Sequence, residues 1–145
     1  MNLAYAYPKS RYEPATLVDL NSRAERERLS ASALKGFFKL AAAWQLRDDD
    51  ARELLGGLSS SSYYDWKRNP ARVLEVDRIT RISYLLGIYK SLHILYGDKL
   101  ADEWVHLPNT NAVFGGRSPL ACMLGGGLLA MQSVRKLLDA RRGGL

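Results

Sequence analysis

Between residues 75 and 97 the stretch EVDRITRISYLLGIYKSLHILYG brings back an apolar side chain every three or four positions, at Val76, Ile79, Ile82, Leu85, Leu86, Tyr89, Leu92 and Leu95. This is the period of one helical face, held long enough to form the spine of a small molecule. No useful length of the chain alternates apolar with polar residues, as a half-buried strand would require. The fold class is therefore all-α.

Shorter helices flank the spine. SALKGFFKLAAAWQL, with Ser32 as a suitable cap, places Leu34, Phe37, Phe38, Leu40, Ala41 and Trp44 at helical spacing. In RDDDARELLGGLSSSSYYDWKRNP, Asp48, Asp49 and Asp50 favour a helix start, Gly56 and Gly57 close that helix, Ser59 opens another and Pro70 ends it. DKLADEWVHL reads as a short amphipathic helix with Asp98 as cap and Leu100 and Trp104 on one face. Pro108, Asn109 and Asn111 then mark an ordered loop. Ser118 and Pro119 are the cap and first position of a new helix, and LLAMQSVRKLLDARR is the last, with Leu128, Leu129, Val134, Leu137 and Leu138 facing in. Residues 1–30 carry tyrosines, prolines and RAERERL with no apolar period before Leu29, which predicts an extended, flexible arm. Four segments result: the arm over 1–30, a helix-turn-helix over 31–73, a long core and dimerisation helix over 74–97, and a C-terminal module with a tail over 98–145.

In a helix-turn-helix, a glycine turn lets one helix brace a second against the major groove. Here Ala51, Leu54, Leu55 and Leu58 form the expected inner contact and Trp66 the anchor of the second helix. Ser60, Ser61, Ser62, Tyr63 and Tyr64 then lie near the groove, with Lys67 and Arg68 on phosphates. Against this stand Asp48, Asp49 and Asp50 beside Asp65, unless those aspartates face away from the duplex; the plain alternative is a helical hairpin with solvated serines. A formal charge of +6 suits a polyanionic or acidic partner. A single site of this kind binds weakly, so a homodimer is expected.

No apolar run approaches the roughly 18 residues of a membrane span, and the N-terminus lacks a secretion signal. The single cysteine, Cys122, excludes an internal disulfide and suits a reducing cytoplasm. No metal site is expected, since neither His93 nor His106 has a second histidine or the cysteine at helical spacing. Asp102 and Glu103 point about 100° apart on a helix, which makes a poor acid–base couple. Cys122 has no neighbouring base, and GGLSSSS and LGGGLLAM lack the lysine and the preceding strand of a nucleotide loop. Neither a cofactor nor an enzymatic activity is expected.

In WVHLPNTNAVFGGRSPLACMLGGG, Arg117 follows two glycines and precedes a capped helix start, a position suited to a structural clasp or a partner contact. Trp104, Pro108, Asn109, Phe114, Gly115, Gly116, Arg117, Ser118, Pro119 and Leu120 together resemble the toxin-binding domain of the Xre/MbcA/ParS-type antitoxins. SSSSYYDWKRNP and the long helix also look like that family's Xre-like portion, so the resemblance spans about residues 30–145. It implies a bacterial antitoxin paired with a RES-domain toxin, an NAD-consuming enzyme of ADP-ribosyltransferase-like fold. It further implies that the antitoxin masks the toxin's cleft, joins it in a higher hetero-oligomer and binds operator DNA. On this resemblance Phe114, Gly116, Arg117, Arg141, Arg142, Gly143 and Gly144 are the toxin-binding candidates. Gly125 to Gly127 depart from the expected shorter junction and leave the angle of the last helix open. A helix-turn-helix repressor without a toxin is the alternative, but it gives Arg117 and the Arg141–Arg142 tail no role.

Overall fold

The structure, a computed structural model, describes residues 18–143. It contains α1 (Arg23–Ala43), α2 (Asp48–Leu54), α3 (Ser60–Arg68), α4 (Val76–Tyr96), α5 (Asp98–Trp104), a single 3-10 turn (Ala112–Phe114) and α6 (Pro119–Gly143), with no strand among the described residues.

α4 is the spine, packed against α1, α5 and α6. Ile79, Ile82, Leu85 and Leu92 are buried as their spacing requires, together with Ile88 and Ser91, while Val76 is exposed at the first turn. Leu34, Phe37, Leu40 and Trp44 of α1 close one side of the core, and Met123, Met131, Val134 and Leu138 of α6 close another. Buried Ser30 donates to the Arg26 carbonyl and accepts the Leu74 amide at 2.8 Å, tying α1 to the segment before α4.

α1 starts earlier than expected. Ser22, rather than Ser32, caps it by accepting the Glu25 amide, and residues 23–30, expected in the arm, are helical. Ion pairs Arg23–Glu27 and Arg28–Glu25 support those turns without any apolar stripe. The rest of the proposed arm, residues 1–17, lies outside the described residues. α1 ends in a Schellman arrangement, Leu46 N–H to Ala41 O and Gln45 N–H to Ala42 O, which places Gln45 at φ 51°.

α5 begins at Asp98 behind Gly97 (φ 76°), so Asp98 is its first residue and not its cap. Leu100 is 46% exposed and does not join Trp104 on the buried face. α6 starts as expected, with Ser118 Oγ accepting the Ala121 amide, but breaks at Gly127, where φ 61° and ψ −141° are open only to glycine. The break changes the helical phase: Met131 turns in, and Leu129, expected inside, is 75% exposed.

Candidate nucleic-acid and partner interfaces

The α2–α3 unit forms the expected tight turn. Gly56 (φ 97°) and Gly57 (φ 82°) end α2, with Gly57 N–H bonded to Arg52 O, and Ser59 Oγ accepts the Ser62 amide to open α3. Ala51, Leu54, Leu55 and Leu58 are buried between the helices. Asn69 and Pro70 stop α3.

Ser60, Ser61, Tyr64, Lys67 and Arg68 are exposed on α3, and Ser62 is half-buried. Tyr63 is not available to DNA: it is 2% exposed and meets Phe38 of α1 edge-to-face at 5.5 Å. The expected roles of Tyr63 and Trp66 are thus exchanged. Tyr63 anchors α3 in the core, while Trp66 is only half-buried, with Arg72 and Arg78 over its ring at 5.1 and 5.5 Å.

Most charge on this unit is neutralised internally. Arg47 and Arg52 pair with Asp49 and Asp50, and Arg68 and Arg72 pair with Asp65. Asp48 does not face away from α3, because it accepts the Tyr64 hydroxyl; that bond, with the carboxylate's charge, raises the phenol's pKa. Lys67 has no carboxylate partner among the described residues, and neither do Lys35 and Lys39 of α1, which flank Phe38 and its contact with α3. No local pattern in the sequence sets Lys35 and Lys39 apart, because isolated lysines between apolar residues are what any solvated helix face carries.

The C-terminal loop is built on side-chain acceptors. Asn109 Oδ1 accepts the Asn111 amide at 2.9 Å, and Asn111 Oδ1 accepts the Val113 amide at 3.0 Å. Phe114 is fully buried, packs edge-to-face on Trp104 at 5.8 Å, and its carbonyl accepts from Cys122 Sγ. Expected at the partner surface, Phe114 instead pins the loop to the core. Gly115 and Gly116 adopt φ 57° and 84°, after which Arg117 N–H bonds to Phe114 O and Arg117 O accepts the Asn109 amide. The clasp is therefore made by the Arg117 backbone, and its exposed side chain takes no part in it.

Arg141, Arg142 and Gly143 are exposed on the last described turn of α6, and Gly144 lies outside the described residues. Arg141 donates to the Tyr96 hydroxyl at 2.8 Å and Arg142 to Ser91 Oγ at 3.2 Å, so the helix end lies along α4. At the α4–α5 junction, His93 sits on the Tyr89 ring with Asp98 on Nδ1 at 2.9 Å and Asp102 on Nε2 at 3.0 Å. Burial lowers its pKa, but the two carboxylate hydrogen bonds outweigh that and raise it. No cluster of metal-ligating groups occurs among the described residues, and no helix among them is long and apolar enough to cross a membrane.

A tight helix-turn-helix joined through one shared spine to a second helical module places the chain in the class of helix-turn-helix proteins that carry an additional helical unit. The comparisons with known proteins agree: residues 22–87 match the antitoxin Xre-like helix-turn-helix domain, and residues 91–144 match the antitoxin Xre/MbcA/ParS C-terminal toxin-binding domain. The chain belongs to the Xre/MbcA/ParS antitoxin family and is an antitoxin of a toxin–antitoxin system. The boundary between the two matches falls inside α4, so the spine serves both modules without a linker. The chain is also 39% identical over 112 residues to the uncharacterized protein y4oB of Sinorhizobium fredii (strain NBRC 101917 / NGR234), covering 77% of this chain and 84% of that one. Both matched families are typically non-enzymatic.

Proposed function

We propose that this antitoxin neutralises a RES-domain, NAD-degrading toxin by filling its active-site cleft with the end of α6. The observation that carries this reading is the placement of Arg141 and Arg142. Both are exposed at the last described turn of a toxin-binding domain, and each is held by one hydrogen bond to a neutral hydroxyl. Their remaining N–H donors have no partner among the described residues, so they can meet acidic groups and occupy space meant for NAD. Such a block is steric and electrostatic, and requires no chemistry from the antitoxin.

The same chain represses its own operon. Exposed hydroxyls of Ser60 and Ser61 and the exposed ring of Tyr64 approach base edges, and Lys67, Arg68, Lys35 and Lys39 neutralise phosphates. With few free cations per copy, operator binding uses a homodimer, tightened by assembly with the toxin.

The test is inhibition of NAD hydrolysis by a purified RES-domain toxin. Stoichiometric inhibition by the full chain, and a loss of at least ~30-fold in potency on truncation after Ala140, is the expected pattern. Equal potency of the truncated chain excludes the tail from the cleft.

A further inference from the structure

The 3-10 turn, Arg117 and the first half of α6 frame a groove of about 300 Å³ outside the tail. Gly125 and Gly126 present bare backbone to it, Val113, Ala130 and Val134 give it an apolar part, and none of its lining residues is acidic. Val113 is 53% exposed, an apolar surface with nothing in the described chain to cover it.

Arg117 is the groove's only charged lining residue. It is also the one arginine among the described residues whose guanidinium has neither a hydrogen bond nor an ion pair. The other twelve hold a carboxylate, a carbonyl or a hydroxyl. Both backbone polar groups of Arg117 are bonded, at 3.0 Å to Phe114 O and 3.2 Å from Asn109 N, so the side chain leaves a rigid frame and little order is lost when it is met.

We propose that this groove takes a segment of the toxin in which a carboxylate side chain lies beside a small apolar one. Arg117 forks the carboxylate, and the apolar side chain sits over Gly125 and Gly126, where the absence of Cβ atoms permits close approach. A phosphate fits less well, because the groove offers no second cation. This inference rests on the proposed function and adds a contact separate from Arg141 and Arg142.

Two variants test it against the purified RES-domain toxin proposed as the partner, with affinity read by calorimetry. Arg117→Gln removes an exposed charge and leaves the fold alone. Gly125→Leu fills the groove: a Cβ at Gly125 meets only the Arg117 guanidinium, at 3.8 Å, and a leucine suits the helical backbone there. Each is expected to weaken binding about 30-fold or more, with Arg117→Lys recovering part of the loss and the unfolding temperature of free Gly125→Leu no lower than that of the unaltered chain. Unaltered chain that binds, with both variants binding equally well, overturns the groove and leaves the proposed function standing. Unaltered chain that does not bind overturns both. Variants that lose only self-association, with toxin affinity intact, assign the groove to a second copy and overturn the proposal.

Discussion

Three consecutive glycines in α6 should respond to alanine in three different ways. Gly127 sits at φ 61° and ψ −141°, and a Cβ there meets nothing nearer than the Arg81 guanidinium at 4.0 Å, so the cost of Gly127→Ala is backbone strain of about 1–3 kcal/mol. Straightening the helix would relieve the strain but would rotate Met131, Val134 and Leu138 out of the core. Each is at most 1% exposed and is worth about 1.5–3 kcal/mol of burial, which together exceed the strain. The kink therefore survives, and the variant loses stability. Reduced freedom of the unfolded chain offsets about 0.4–1 kcal/mol of the loss, so the unfolding midpoint should fall by roughly 3–10 °C for a chain of this size. Gly125 has open space and ordinary helical backbone, so Gly125→Ala should add about 0.5–1 kcal/mol. Gly126→Ala is destabilising for a different reason, since its Cβ would lie 2.7 Å from that of Ala130. Thermal and urea unfolding followed by far-ultraviolet circular dichroism measure all three. Equal effects at Gly125 and Gly127, or a Gly127→Ala chain as stable as its parent, would refute this account of the kink.

Gln45 holds a left-handed position that glycine occupies without strain, so Gln45→Gly should stabilise the chain by about 0.5–1 kcal/mol in urea titrations. His93 has its pKa raised in the folded state, so its contribution is complete below about 6.5, the usual unfolded value, and is lost as pH rises through the folded value. His93→Gln should flatten that decline in a pH series of unfolding midpoints. Tyr63→Ala should cost about 3–5 kcal/mol of stability by emptying a core site, whereas Tyr64→Ala should leave the fold intact and weaken only operator binding. Lys67→Ala with Arg68→Ala should reduce the log–log salt slope of operator binding by about 1.8; an unchanged slope would remove both from the phosphate contacts.

The elements that follow from local chemistry were legible in the sequence. The period of α4, the Gly56–Gly57 turn, the Ser59 cap, the stop at Pro70 and the Ser118–Pro119 start each depend on residues within a few positions of one another. What depended on tertiary packing was not. The first turns of α1 carry no apolar stripe, and only the Ser22 cap and the arginine–glutamate pairs reveal them. Tyr63 and Trp66 are both large amphipathic side chains on α3, and Phe38 on α1 decides which of them is buried. Phe114 looked like a partner contact because it stands in the loop motif, yet Trp104 draws it into the core. Leu129 reads as inward beside Leu128, but the helix after Gly127 turns Met131, Val134 and Leu138 into the core and leaves Leu129 outside. Pairing, too, is invisible locally: the free side chain of Arg117 and the ties from Arg141 to Tyr96 and Arg142 to Ser91 join residues distant in the chain.

The most direct test of the central claim is co-expression of this chain with the product of the gene adjacent to its own, followed by purification of any complex and measurement of cellular NAD with and without the antitoxin. A stable complex, with NAD depleted by the toxin alone and preserved when both are present, is the predicted result. No complex, and NAD that is unaffected by the antitoxin, would contradict the account.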